Sequence, residues 1–299
     1  MRNTYLSLLI FLAPIGVRSQ SNAADCSGGI RLCSKNLISI PALTSSGELV
    51  SELSTQICYP SKPFIETNSI WLKWAIADPG SLSFTILPQN EHDDFDFVLF
   101  KSPDGNTLCE NLEAVRCMRA GPTLGEDGET SGGCTGATGL SDLSADINRP
   151  TGCSIDIANF LSPVDTKSGD IYTLLINNYH STSGFALGFD GTSTFRPEFG
   201  DCSPVVSSVI EEPSSGFTIT NAYPNPASDN VFVDITSKSS FDVTAQIIST
   251  DGVLVVSQSV FVNEGSSSYS LPVESLIAGV YFLKIRSANH TVISRFYKQ

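Results

Sequence analysis

Three aspartates, Asp93, Asp94 and Asp96, fall within four residues at the start of an apolar stretch. The alternation of a β-strand places Asp94 and Asp96 on one face, with Asp93 at the mouth of the strand. Calcium prefers hard carboxylate oxygens, completed by carbonyls and water, and a cation relieves the repulsion between neighbouring carboxylates. We therefore expect a Ca²⁺ site here. Glu66 is its fourth metal ligand, provided that the strand that follows it lies beside the aspartate strand.

The same acidic cluster has an alternative interpretation that involves no ligand. Charged residues on an edge strand discourage pairing with other chains. A solvated acidic edge would place the three carboxylates in water. The sequence leaves both interpretations open, and they differ in whether the aspartates are buried.

The sequence contains only weak indications of a catalytic site. The segment 132–136 has the form of a nucleophile elbow with Cys134 in place of serine, but no buried strand precedes it. His92 lies beside the aspartates, yet no motif places a serine or cysteine to use it as a base. A glycosidase pair of carboxylates stays open, because the separation between two carboxyl groups cannot be read from the sequence.

Exposed aromatic rings are a further means of binding sugars. Three aromatic side chains are candidates for such stacking: Trp71, Tyr172 and Tyr179. Trp71 faces outward if Trp74 faces the core, and we expect a second sheet to cover it.

Composition narrows the class of protein. The chain has 299 residues, 41% hydrophobic and 16% charged, and a formal charge of −14. This length suits two domains, and the negative charge argues against nucleic acid or an anionic membrane surface as a partner. No apolar stretch of about 20 residues is present, so we expect no membrane span. Residues 1–23 combine Arg2, a short apolar run and small residues, which is typical of a signal peptide.

The number of cysteines is consistent with an exported protein that contains disulfides. All eight precede residue 203, and an even number in an exported chain indicates up to four disulfides. We expect Cys109 to pair with Cys117, because seven intervening residues suit closure of a hairpin. The cysteines predicted to be oxidised are Cys26, Cys33, Cys58, Cys109, Cys117, Cys134, Cys153 and Cys202.

The pattern along the chain predicts an all-β protein with two domains. Apolar residues alternate in 70–76, 82–86, 95–99, 171–177 and 185–189, as in half-buried strands. We interpret 24–200 as a disulfide-bonded jelly-roll β-sandwich, the passenger domain, and 201–216 as a linker. Residues 217–299 predict about seven short strands and a small immunoglobulin-like β-sandwich. Its expected core contains Phe232, Ile235, Ile247, Val255, Leu271, Tyr281 and Leu283.

Four separate motifs in 217–299 resemble the C-terminal sorting domain of type IX secretion cargo. They are 222–230, 250–252, 276–285 and 295–298, with Pro224, Asn225, Pro226, Gly252, Gly279 and Lys298 as the marking residues. The resemblance implies passage to the periplasm and then export by the type IX secretion machinery. The protein is then secreted or held on the outer surface of a didermal bacterium, and in that family the sorting domain is commonly removed.

Residues 58–195 resemble CUB-like and pre-peptidase C-terminal jelly-roll domains. The matching segments are 66–71, 93–97, 115–117 and 184–192. Such domains are binding or adhesion accessories and often hold calcium. We therefore expect a non-enzymatic surface module with a glycan or protein ligand. An extracellular hydrolase of polysaccharide or peptide, and a subunit of a larger surface assembly, are the alternatives.

Overall fold

The computed structural model describes residues 23–49, 52, 64–103, 105, 109, 111–119, 135–149, 159–200, 202, 217–288 and 290–299. Within these ranges the regular structure is β-strand apart from one 3-10 turn at Cys26–Gly28. The predicted all-β class, a disulfide-bonded sandwich followed by a smaller sandwich, is confirmed. No helix in this part of the chain has the length and hydrophobicity needed to cross a membrane. The predicted signal peptide and linker lie almost wholly outside the described residues.

The passenger domain consists of two facing sheets. Sheet I has the strand order β1-β3-β11-β5-β6-β8, and sheet II has the order β2-β12-β4-β7-β9, with β10 also pairing with β4. The strands are β1 Ile30–Arg31, β2 Ile38–Ala42, β3 Ser69–Ala75, β4 Gly80–Pro88, β5 Phe95–Lys101, β6 Glu113–Met118, β7 Thr138–Leu140, β8 Asn148–Arg149, β9 Phe160–Leu161, β10 Val164–Thr166, β11 Ile171–Asn178 and β12 Ser183–Asp190.

The main core of the passenger lies between sheets I and II. Every second residue of the central strands points into it, as the period-two pattern predicted. Trp74 is fully buried there, with its ring centroid 5.2 Å from that of Phe189 and 5.3 Å from that of Phe195. Burying each large apolar side chain contributes about 1.5–3 kcal/mol, so this core contributes strongly to the stability of the sandwich.

The outer face of sheet I is also buried. Trp71 is only 1% exposed and stacks on Phe100 at 5.8 Å. Cys26 and Phe64 pack on the same face, and the backbone N–H of Trp71 donates to the carbonyl of Ala23 at 2.8 Å. The segment around Cys26 therefore covers this face. The prediction of half-buried strands is wrong for β3, β5, β11 and β12, which are buried on both faces. The prediction that a second sheet covers Trp71 is also wrong.

The disulfides attach the ends of the passenger to its sheets. Cys26 bonds to Cys109, and Cys33 bonds to Cys202. The predicted Cys109–Cys117 pair is wrong. Cys109 is bonded to Cys26 instead, and Cys117 lies within β6 on the same buried face of sheet I. Cys117 is disulfide-bonded as well. Cys58, Cys134 and Cys153 lie outside the described residues.

The second domain is a smaller sandwich of two sheets. Sheet III has the order β13-β14-β17, and sheet IV has the order β16-β15-β18-β19. The strands are β13 Phe217–Ile219, β14 Asn230–Ser237, β15 Phe241–Ser249, β16 Leu254–Val262, β17 Gly265–Pro272, β18 Gly279–Arg286 and β19 Thr291–Lys298.

Most of the predicted core of this second domain is buried between sheets III and IV, namely Ile235, Ile247, Leu271, Tyr281 and Leu283. Two predicted core residues are on the surface instead. Phe232 is 36% exposed, since the valines on either side of it occupy the inner face of β14.

Val255 is the second exception, at 39% exposed. The register between β15 and β16 shifts after Ile247, so that Ile247 is opposite Val256 while Ile248 is opposite Leu254. Val255 is the extra residue of this bulge. A bulge re-aims side chains, and a strict alternation therefore assigns the wrong face.

Candidate functional site

The three aspartates lie on or directly before an inner strand, and not at the edge of a sheet. Asp96 is in β5, which runs between β11 and β6, and Asp93 and Asp94 directly precede it. The exposed fractions of Asp93, Asp94 and Asp96 are 0%, 3% and 9%. The solvated-edge interpretation is therefore wrong. Burying a carboxylate is costly unless it is paired or hydrogen-bonded, so each of the three needs an explanation.

The hydrogen bonds of Asp93 account for the burial of its carboxylate. Its Oδ2 accepts from Asn178 Nδ2 at 3.0 Å and from Ser181 Oγ at 2.9 Å. Its Oδ1 accepts from Asn90 Nδ2 at 3.2 Å. Both oxygens thus have partners, and Asp93 ties the loop before β5 to the turn between β11 and β12.

Hydrogen bonds do not account in the same way for the burial of Asp94 and Asp96. The Oδ1 atom of each is buried and has no hydrogen-bond partner. Burial, and then the charge of Asp93, raise the pKa of Asp94 to about 7. Burial, and then the charge of Asp94, raise the pKa of Asp96 well above its usual range, with Arg119 opposing the shift. Without a cation, ionisation of Asp94 and Asp96 at neutral pH destabilises the folded state.

The condition for the predicted role of Glu66 as a metal ligand is not met. Strand β11 separates β3 from β5, so the strand that follows Glu66 is not the neighbour of the aspartate strand. Trp71 Nε1 donates to Glu66 Oε2 at 3.3 Å, while Oε1 is buried without a partner. Burial is the largest cause that raises the pKa of Glu66, to about 7.

Asn177 is the residue of this site that the sequence analysis missed. It lies on β11 opposite Asp96 on one side and opposite Ser69 on the other. Its Oδ1 accepts from the backbone N–H groups of Thr67 at 2.8 Å and Asn68 at 3.2 Å, which fixes the amide, and its Nδ2 is buried without a partner. The sequence does contain one indication of this role: Asn177 and Asn178 are two adjacent amide side chains at the end of an apolar strand.

These residues suit a hard cation in part. Asp94 and Asp96 supply two carboxylates that repel each other and have free, buried oxygens. Among the described residues, no three His, Cys, Asp or Glu side chains form a group that could hold a metal ion. A cation here would therefore use the two carboxylates and complete its shell with backbone carbonyls and water, as calcium commonly does.

The candidates for other chemistry that fall in the described residues do not form a site together. His92 is exposed, and Cys134 lies outside the described residues. Trp71 and Tyr172 are buried, whereas Tyr179 is 60% exposed. Of the three aromatic residues considered for sugar stacking, Tyr179 therefore has an accessible ring.

The sorting motifs, which are far apart in the sequence, meet at one end of the second domain. Asn225 Oδ1 accepts from the backbone N–H of Tyr297 at 2.9 Å. The N–H of Ala227 donates to the carbonyl of Tyr297 at 2.7 Å, and the N–H of Gln299 donates to the carbonyl of Ala227 at 3.0 Å. The Pro224-Asn225-Pro226 loop is thus bonded to the final strand.

The two marking glycines and Lys298 belong to the same sheet. Gly279 opens β18 directly opposite Lys298 on β19. Gly252 occupies the turn between β15 and β16 with φ of +79°, a conformation that favours glycine. The marking residues therefore sit at turns or strand ends of the second sandwich, and the positive φ of Gly252 and the hydrogen bond of Asn225 give these two types a structural reason.

A comparison with protein families agrees with this arrangement. Residues 221–299 match the model of a family described as a secretion system C-terminal sorting domain. The second sandwich is a sorting domain of this kind, and it indicates export through the type IX system to the cell surface or the medium. No curated protein matches the chain.

Solved structures offer distant likenesses. Dimeric latent PorU from Porphyromonas gingivalis matches with 10% identity and a TM-score of 0.25, over 77% of this chain and 31% of that one. A β-glucuronidase from Parabacteroides merdae matches with 11% identity and a TM-score of 0.20, over 90% of this chain and 35% of that one. The chain thus spans about a third of the length of these proteins. Likenesses this weak carry no functional argument.

Proposed function

We propose that this chain is a non-enzymatic binding module of the bacterial surface, and that its passenger domain holds a calcium ion at Asp94 and Asp96. The sorting domain accounts for its delivery. The observation that carries the proposal is the pair of buried carboxylates, each with an oxygen that has no partner. The ligand of the module is a surface glycan or a protein, as the resemblance of the passenger to adhesion domains implies.

Electrostatics support the cation. Two neighbouring carboxylates with raised pKa values disfavour the folded state at neutral pH. A bound Ca²⁺ would replace this repulsion with attraction and would occupy the free oxygens. Asn177 would lie beside the ion, because it is opposite Asp96 in the sheet. Asp93 would act by orienting the loop, since its own oxygens are already hydrogen-bonded.

The burial of the same carboxylates supports a binding role over a hydrolase. A glycosidase needs its two carboxyl groups on either side of a bond in the substrate. Asp94 and Asp96 are only 3% and 9% exposed on the buried outer side of sheet I, where a polymer does not reach them. A structural cation, in contrast, is well served by buried oxygens.

The cation is tested by thermal unfolding of the full chain at pH 7.5 with calcium, with magnesium and with chelator. We expect calcium alone to raise the melting temperature. Extracellular calcium modules bind at about 10⁻⁴–10⁻³ M, so millimolar calcium is required, and a hundredfold excess over Kd adds about 2.7 kcal/mol. Asp94→Asn should abolish the rise, whereas the exposed Asp142→Asn should keep it. Equal melting in the three conditions would contradict the calcium site.

The binding role is tested on the exported protein. Washed cells and culture fluid are separated, and the purified chain is applied to arrays of polysaccharides and peptides. Retention without turnover supports the binding module. Hydrolysis that disappears in Asp94→Asn would show the enzyme instead, and co-purification in a defined complex would show a subunit of a larger assembly.

A further inference from the structure

One strand of the sorting domain is buried on both faces. In β18, Tyr281, Leu283 and Ile285 point into the sorting-domain core. Phe282 and Lys284 point the other way, yet they are only 1% and 2% exposed. A small sandwich exposes one face of each sheet to water, so a second body must cover this face of sheet IV.

The passenger domain is that body. Phe282, Ile248 and Ile293 of sheet IV form one apolar cluster with residues of the passenger. We call the passenger side the covered face; it consists of Leu37, Leu87, Ala137, Ala186 and Gly188. Ala186 and Gly188 lie on β12 between the core residues Phe185, Leu187 and Phe189, so the covered face is the outer surface of sheet II.

Gly188 shows how closely the two domains fit. A Cβ atom at this position would lie 2.6 Å from two carbons of the Phe282 ring. The backbone of Gly188 is not in the left-handed region, and its next neighbour, in Leu37, would be 3.7 Å away. A side chain at this position would therefore require the ring of Phe282 to move.

Polar contacts fix the relative orientation of the domains around this apolar centre. Lys284 Nζ donates to the carbonyl of Pro88 at 3.0 Å. Arg295 Nη1 donates to the carbonyls of Phe189 at 3.1 Å and Lys35 at 3.3 Å. An apolar centre accompanied by direct hydrogen bonds is typical of a specific interface.

We propose that the sorting domain has a second role beyond export: it masks the covered face of the passenger, within the same chain, for as long as the linker is intact. Residues 203–216 join the two domains. A short tether raises the effective concentration of one partner for the other to about millimolar. A contact with a dissociation constant between micromolar and millimolar would therefore be closed within the intact chain and open between separated fragments.

The consequence concerns the passenger once the tether is cut. The effective concentration falls to the concentration in solution, and the contact opens. Leu37, Leu87 and Ala186 then form an exposed apolar patch on the outer surface of sheet II. Such patches mark interaction surfaces, so cutting the linker would create a binding face that the intact chain conceals.

The test places a specific protease site in 203–216 of the full chain. Before cutting, we expect a compact monomer by small-angle X-ray scattering and little binding of an apolar fluorescent dye. After cutting, we expect the fragments to separate during gel filtration at micromolar concentration, with a severalfold rise in dye binding on the passenger fragment. Co-elution of the cut fragments would overturn the tether-dependent mask.

Two variants of the uncut chain test the contact itself. Gly188→Leu and Phe282→Ala should increase the radius of gyration and dye binding, since one inserts a side chain under the ring and the other removes the ring. Phe232→Ala, on the outer face of sheet III, is the matched control and should change neither. An unchanged radius in both contact variants, or a dimer of the uncut chain through exchanged sorting domains, would contradict masking within one chain.

Discussion

Asn225 and Tyr297 are joined by a hydrogen bond of 2.9 Å across 72 residues of sequence. The side chain of the first motif in the sorting domain thereby accepts from the backbone of the last strand. Ala227 extends the contact by pairing with Lys298 as an isolated parallel bridge. The motifs at the two ends of this domain are therefore parts of one structure, and loss of either should disturb the other.

The final strand should be required for export. Removing Arg295–Gln299 deletes the partners of Asn225 and Ala227 and also Phe296, which is fully buried in the core. We expect the truncated chain to accumulate in the periplasm with a folded passenger, because the passenger has a separate core. Cell fractionation measures this. Surface delivery of the truncated chain at the normal level would show that the end is dispensable.

The side chain of Asn225 should stabilise the sorting domain. In Asn225→Ala the N–H of Tyr297 loses its acceptor, and we expect a loss of about 1 kcal/mol. Urea unfolding measures the change. Asn221→Ala alters an exposed amide in the same loop and serves as the control. Equal unfolding midpoints for the two variants would mean that the hydrogen bond contributes nothing.

The sequence predicted what depends on local periodicity and missed what depends on distant segments. The alternation in 70–76 placed Leu72 and Trp74 on one face of a strand, and that face lies in the core. The burial of Trp71 depends on Cys26 and Phe64, and no pattern within β3 reveals that contact.

The candidate site was found in part for the same reason. Asp93, Asp94 and Asp96 are close together in the sequence, so alternation predicted that Asp94 and Asp96 lie on the same face and interact. The insertion of β11 between β3 and β5 is a matter of strand order, which periodicity does not encode. It brings Asn177 to Asp96 and keeps the strand after Glu66 one position away.

The two mapped disulfides should both stabilise the passenger. Cys26–Cys109 and Cys33–Cys202 close loops with sequence separations of 83 and 169 residues. Long loops gain most from cross-linking, and loss of a native disulfide costs about 2–5 kcal/mol. We expect paired replacement by serine to lower the denaturation midpoint in each case.

Peptide mapping of the unreduced chain tests the pairing directly. We expect linked peptides that contain Cys26 with Cys109, and Cys33 with Cys202. A linked peptide that joins Cys109 to Cys117 would contradict the structure.

Glu66 should make the stability of the chain depend on pH. Burial raises its pKa from the ordinary 4.5 to about 7, so the folded state keeps a proton that the unfolded state has released. The contribution of Glu66 to the free energy of unfolding is complete below pH 4.5. It falls as the pH rises to about 7, because the folded state binds more protons than the unfolded state in this range. The carboxylate is not neutralised by its surroundings, since Glu52 adds repulsion and Ser69 and Trp71 offset burial only in part.

Glu66→Gln removes this titration. The neutral amide keeps an oxygen for the indole N–H of Trp71, so we expect the variant to melt above the unchanged chain at pH 8 and with it at pH 4. Melting curves across this range, in chelator, measure the difference. The exposed Glu48→Gln should leave the curve as it is. Because Asp94 has its pKa raised to about 7 as well, part of the slope should persist in Glu66→Gln. A slope identical to that of the unchanged chain would show that Glu66 is ionised without penalty in the fold.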